Sequence, residues 1–264
     1  MTAIGISFAI ALAVNGVFFA VAAIRKTDVV TDLSYSLTFA LLAVVLLFTG
    51  AREPVEIVAS LLVLVWAVRL GTYLFRRILR MKVDHRFDEM RDKPLRFARF
   101  WLLQAVAVAV IMLPVTYLLD QDDPPRLGAW AYAGAAIWLA GLVIETVADA
   151  QKTAFRARPE NKGRFIANGL WRYSRHPNYF GEILIWWGLF VYVVPILGGA
   201  AFAVVAGPVF ITVLLLFVSG IPLLERSADE KYGGDPAYRN YKQRTSILVP
   251  LPPRGGGLVK PRRR

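Results

Sequence analysis

Seven stretches of this chain are apolar enough and long enough to cross a bilayer, and that one feature decides what it is able to fold into. They run at about 3–24, 33–50, 55–75, 97–119, 128–149, 180–198 and 200–223. A hydrocarbon core of ~30 Å takes ~20 helical residues. Inside it every backbone N–H and C=O must find a partner within the protein, so continuous apolar runs of this length cross as helices. The expected class is an all-α, polytopic membrane protein with seven transmembrane helices. The sixth and seventh runs are separated only by "LGGA", and Gly198 and Gly199 predict a tight turn between two antiparallel helices. Composition agrees: 56% of residues are hydrophobic and the mean hydropathy is +0.49, whereas soluble domains hold about 45–50% apolar residues.

The chain carries a formal charge of +12, and the placement of the bases decides what that means. With the N-terminus outside, the inner segments are 25–32, 76–99, 150–179 and the tail from 224, and they hold 28 of the 31 Lys and Arg residues. The outer loops hold Arg52 and Arg126, and Arg69 lies within the third run. This asymmetry predicts an N-outside, C-cytoplasmic orientation and accounts for the charge without nucleic acid as a partner. Residues 1–252 form one domain, and 253–264 form a basic tail expected to be disordered, with Arg262, Arg263 and Arg264 available to anionic headgroups. The chain has no cysteine, which excludes disulfides and thiolate metal sites. Its two histidines, His85 and His176, are too far apart in sequence to suggest a metal centre. No dinucleotide fingerprint, P-loop, HExxH or GxSxG occurs.

Ionisable residues inside spans are costly and mark function. Arg69, Glu145, Asp149 and Glu182 are such residues. The i, i+4 spacing of Glu145 and Asp149 places both carboxylates on one helix face. They either form ion pairs, with Arg69 or with inner-loop arginines, or accept hydrogen bonds from a polar ligand. The inner segment 150–179 mixes seven bases with aromatic residues and is broken by Pro159, Gly163 and the Asn168–Gly169 pair. Arg156, Arg164, Arg172 and Arg175 are candidates for gripping phosphate with paired donors. Solvated membrane-surface arginines are the alternative.

The stretch "SRHPNYFGE", Ser174 to Glu182, opens the sixth run. Pro177 suits a first helical turn, where its missing N–H costs nothing. Asn178 and Tyr179 then belong to that turn, and Glu182 lies one turn deeper on the side of Asn178. The positive end of the helix dipole favours an anion or the carboxamide oxygen of a ligand there. His176 either belongs to this constellation or caps the helix locally.

These residues carry a resemblance. "GLWRYSRHPNYFGEILIWWG" resembles the C-terminal signature of the membrane steroid 5α-reductase superfamily, and more narrowly its bacterial branch of short members. "WAVRLGTYLFRRILRMKVDHRFDEMR", "ETVADAQKTAFRARPENKG" and "AYRNYKQRTSILVPLPP" resemble further landmarks of that branch, so that the likeness covers about residues 30–252. The resemblance implies a seven-helix fold, NADPH as hydride donor, and reduction of a carbon–carbon double bond in a lipophilic, enone-like substrate that enters from the bilayer. Carried over by position, Asp149, Arg156, Arg164, Asn178 and Glu182 match cofactor-binding places, and Tyr241 falls near a tail tyrosine at the same pocket. Glu145 takes a slot that holds an amide in the animal enzymes. Arg69, Arg172, Arg175, His176 and Tyr179 complete the expected cofactor set, with Glu182 and Tyr73 as catalytic residues. The chain departs from the animal reductases in having Trp66 where a ketone-binding tyrosine stands, and Tyr73 is the substitute on the same helix. The implied location is the bacterial inner membrane, with the cofactor pocket on the cytoplasmic side and membrane lipids around it. The sequence leaves the oligomeric state open.

"RYSRHPNYFG" is also similar to isoprenylcysteine carboxyl and phospholipid methyltransferases, which bind S-adenosylmethionine. Methyl transfer is therefore the alternative activity. A non-enzymatic lipid-binding protein is the second alternative. Clustering of the intramembrane charges toward one side favours a one-sided pocket over a transport path.

Overall fold

A computed structural model describes residues 2–25, 30–49, 52–81 and 94–254. Ten α-helices account for most of them, and the described residues contain no strand beyond an isolated parallel bridge between Ser174 and Ser246. The protein is an all-α polytopic membrane protein. Five helical stretches are long and apolar enough to cross a membrane unaided: 3–25, 54–78, 129–157, 177–196 and 199–232. The segments expected at 33–50 and 97–119 are also helical. The first has a shorter apolar run, Leu33–Thr49, and the second is interrupted. The chain divides into two compact units, Met1–Ala136 with Gly188–Phe210, and Ile137–Trp187 with Ile211–Arg264.

The first unit contains α1 (Ala3–Arg25), α2 (Thr31–Thr49), α3 (Pro54–Met81), α4 (Pro94–Ile111) and α5 (Leu113–Leu118). α2 packs on α3, and α1 packs on both α4 and α2. A buried polar knot ties three of them together. Gln104 donates to Asn15 Oδ1 and to Ser34 Oγ, each at 2.8 Å, and Asn15 donates to the Ala11 carbonyl at 2.9 Å. Amides of this kind join helices where lipid offers no competing partner. Pro114 removes an N–H that α4 would need to continue, so the fourth expected span bends at Met112 into α5. Glu56 is buried at the start of α3, where its Oε2 accepts from the N–H groups of Arg52 and Glu53 at 2.9 Å each. Trp66 is fully buried and meets Phe39 edge-on, with ring centroids 5.1 Å apart.

The second unit draws on α6 (Ala129–Ala157) from Ile137 onward and on α7 (Pro177–Val193) up to Trp187. From Ile211 it adds the end of α8 (Ala206–Val213), a π-helical turn at Leu214–Val218, α9 (Ile221–Tyr232) and α10 (Pro236–Arg244). Two glycines let α6 and α7 touch backbone to backbone. A Cβ on Gly181 would lie 2.6 Å from the Gly141 carbonyl and 2.7 Å from Glu145 N. Such small-residue contacts are the usual means of close helix approach in lipid.

The turn expected at Gly198–Gly199 is present, with Gly199 at φ +52°, and a 3₁₀ segment, Gly199–Val205, leads into α8. Two boundaries differ from the sequence reading. α6 continues to Ala157, because Gln151, Lys152 and Ala154 are good helix formers and the first breaker is Pro159. The last apolar run is not one regular helix. It passes through 3₁₀, α and π turns before Gly220 starts α9. Residues 255–264 of the expected tail and 82–93 of the inner segment 76–99 lie outside the described residues.

Candidate functional site

The carboxylates that the sequence singles out lie on two helices that meet, Glu145 and Asp149 on α6 and Glu182 in the first turns of α7. Gly181 touches Gly141 and Glu145, and the indole of Trp171 donates to the Ala148 carbonyl at 3.0 Å. The two helices therefore run antiparallel with residues 145–149 beside the first turns of α7. Glu145, Asp149 and Glu182 are all buried, at 2%, 3% and 8% exposure, and none is without a partner. Lys152 lies one turn beyond Ala148, its Nζ 4.5 Å from the centre of the Trp171 ring.

α7 begins at Pro177, as the position of that proline predicts. Ser174 Oγ accepts from His176 N at 3.1 Å and donates to the Leu248 carbonyl at 2.6 Å. The buried His176 hydrogen-bonds through Nε2 to Glu225 Oε1 at 2.8 Å and stacks on Tyr179, with ring centroids 5.8 Å apart. Glu225 Oε2 also takes Arg175 at 2.7 Å and Lys242 at 3.3 Å. Burial holds the His176 pKa below its usual 6.5. The neighbouring Glu225 pulls the other way, while Lys152 and Arg175 add to the depression. A neutral ring beside a carboxylate acceptor carries its hydrogen on Nε2, which makes Nδ1 an acceptor. Nδ1 is buried without a hydrogen-bond partner among the described residues, and so is Asn178 Oδ1. Buried acceptors without partners are uncommon in folded proteins.

The tail closes the site. Tyr241 donates to the Trp171 carbonyl at 2.6 Å and packs on Phe165, and burial raises its pKa. Gly169, at φ +58°, presses against Gln151, which accepts from Leu170 N at 2.9 Å. A shallow recess of about 220 Å³ beside it is lined by Gln151, Phe155, Arg158 and Asn168, below the ~300 Å³ at which ligand pockets usually begin.

The predicted residues therefore separate into groups. Glu145, Asp149, Arg175, His176, Asn178, Tyr179, Glu182 and Tyr241 belong to this end of the second unit. Arg156, Arg164 and Arg172 also belong to that unit but are exposed, and Arg172 lies over the ring of Tyr173. Arg69 and Tyr73 belong to the first unit, where the guanidinium of Arg69 lies 5.6 Å from the Tyr73 ring centre. Glu225 and Ser174 join this site without being among the residues expected from the sequence. Glu225 looks like the first charge after an apolar run, and only the fold brings it to His176.

The fold defines a polytopic helical membrane protein, and the family match places it in the steroid 5α-reductase-like and isoprenylcysteine methyltransferase-type superfamily. Within it the chain belongs to the family described as protein of unknown function DUF1295, which matches residues 18–245. An uncharacterised protein of Schizosaccharomyces pombe, C594.04c, is 26% identical over 217 residues, covering 70% of this chain and 60% of that protein. Methanethiol S-methyltransferase 1 of Bradyrhizobium diazoefficiens is 38% identical over 87 residues, 33% of this chain and 26% of that enzyme. The chain thus spans less than two thirds of either relative. No solved structure is significantly similar to it.

Proposed function

We propose that the protein is an integral-membrane methyltransferase that takes S-adenosylmethionine at the junction of α6 and α7 and a lipophilic acceptor from the bilayer. One observation carries this reading. The buried charged set on α6 and α7 is acidic, Glu145, Asp149 and Glu182, while Arg156, Arg164 and Arg172 stand exposed and Arg175 is tied to Glu225. A nucleotide with a pyrophosphate and a further phosphate calls for converging guanidinium groups. A sulfonium nucleoside carries no phosphate, and its cationic centre suits buried carboxylates. The similarity to a named S-methyltransferase supports the same direction.

The cofactor would supply an electrophilic methyl group on sulfur. The protein's part is to bind, orient and exclude water. Carboxylates at 145, 149 and 182 suit ribose hydroxyls and an ammonium group. Asn178 Oδ1 and His176 Nδ1 are acceptors awaiting donors. Glu225 fixes the His176 tautomer and so keeps Nδ1 available.

NADPH-dependent reduction is the second reading. The partnerless Oδ1 of Asn178 in the first turn of α7 favours it, since it suits the N–H of a nicotinamide carboxamide. Glu182 would then supply the proton.

Thermal stability of the purified protein, titrated with each cofactor, separates the two. A ligand at a hundredfold its dissociation constant adds ~2.7 kcal/mol. S-adenosylmethionine is expected to raise the melting temperature, and Asp149→Asn and Glu182→Gln to reduce the rise. A rise with NADPH alone would transfer the site to the reductase reading.

A further inference from the structure

The end of the described chain forms a strap that neither reading uses. After α10, residues 245–253 form a bent loop whose ends meet, Arg254 N donating to the Arg244 carbonyl at 3.0 Å, and which lies beside the segment that precedes α7. Arg175 N donates to the Ser246 carbonyl at 2.9 Å, Ser174 Oγ to Leu248 O at 2.6 Å, and Leu251 N to Tyr173 O at 3.1 Å. Along this loop Ile247, Val249 and Leu251 form an outward row, exposed by 44%, 45% and 52%, while Leu248 and Pro250 between them are less exposed. Tyr173, 39% exposed, lies alongside. A row of large apolar side chains turned outward is a contact surface in search of its partner.

Two observations name that partner. The first is level. Every anchor of the strap lies at residues 173–175, immediately before Pro177, where the apolar span 177–196 begins. The strap therefore runs at the depth where that span leaves the hydrocarbon. The second is charge. Arg172, Arg244 and Arg254 flank the row, and Arg244 is fastened to the strap's end by donating to the Arg254 carbonyl at 2.7 Å. Apolar side chains rimmed by arginines are the composition of a surface that settles into the headgroup region of an anionic leaflet. Pairing with a strand of a second copy is disfavoured, because the loop bends at 247–249 and Pro250, Pro252 and Pro253 offer no N–H.

We propose that the Ile247–Val249–Leu251 row is an interfacial anchor, inserted at the headgroup–acyl boundary of an anionic phospholipid leaflet. It would fasten the tail, and with it Tyr241 and the Trp171 loop, to the membrane surface.

The absence of cysteine from the chain gives a clean test. Val249→Cys, labelled with a nitroxide in the full-length protein, is placed in nanodiscs of mixed phosphatidylcholine and phosphatidylglycerol. Its accessibility to dissolved oxygen and to an aqueous nickel chelate is compared with two references on the same unit, the apolar exposed Val213→Cys and the polar exposed Gln243→Cys. The anchor predicts a value between the two that moves toward the aqueous reference in pure phosphatidylcholine. A value equal to Gln243→Cys in both compositions overturns the proposal. So does a label shielded from both reagents, which would mean a protein partner covers the row. Equal insertion in both lipids would overturn the role given to the arginines.

Discussion

At the scale of single residues, the close approach of α6 and α7 depends on two missing side chains. In Gly181→Ala the new methyl would meet the Gly141 carbonyl at 2.6 Å and Glu145 N at 2.7 Å. These are backbone atoms that no rotamer change moves. The expected loss is about 1–3 kcal/mol, read as a lower melting temperature in detergent, with weakened cofactor binding because Glu145 shifts with the helix. His176 gives a second prediction. Its folded pKa lies below the unfolded value of 6.5, so the unfolded chain binds the proton first as the pH drops. Stability from this group is full above pH 6.5 and is lost as the pH falls from there through the folded pKa. His176→Asn should flatten that part of a melting-temperature profile, and an unchanged slope would show that another group sets it. The sequence made the identities at this site legible, since carboxylates and an asparagine beside an apolar run are visible without a fold. It did not reveal that Glu225 is their neighbour, because the contact joins residues 49 apart and no periodicity records it.

At the scale of elements, the strap and α7 share Ser174, which is fully buried and makes two hydrogen bonds. Ser174→Ala should cost about 1–3 kcal/mol, because the Leu248 carbonyl and His176 N–H both lose a partner. Amide exchange over 246–251 should quicken relative to that of α6, and equal exchange would mean that the backbone pairings alone hold the strap. The differences between expected and observed elements have one source. Hydropathy measures affinity for lipid, whereas a helix ends where its hydrogen-bond ladder ends. Hence α6 runs on through polar residues to Ala157, and the run 200–223 changes helical type without any change in apolarity. Pro114 and Gly220 were visible as letters, but their effect on a continuous apolar segment depends on what packs beside it.

For the whole molecule, the arrangement of charge leads to a topology. We propose the seven-span, N-outside orientation in the bacterial inner membrane, with the α6–α7 site on the cytoplasmic side, because 28 of 31 basic residues fall in the segments that this places inside. Gln243→Cys should then react with an impermeant maleimide only after the cells are opened, and Gln121→Cys in intact cells. The reverse pattern would invert the protein. The all-helical class was legible because length and apolarity alone demand it. The clustering of the intramembrane acids is what the proposed placement of the site rests on.

The bond from Tyr241 back to Trp171 joins residues 70 apart, and it has a meaning in time as well as in space. A chain made on a ribosome releases α6 and α7 long before α10. The loop between those helices must therefore wait, inserted but unsealed, until α10 has also been made. Insertion of the two helices and sealing of the loop between them are thus separate events, the second always following the first.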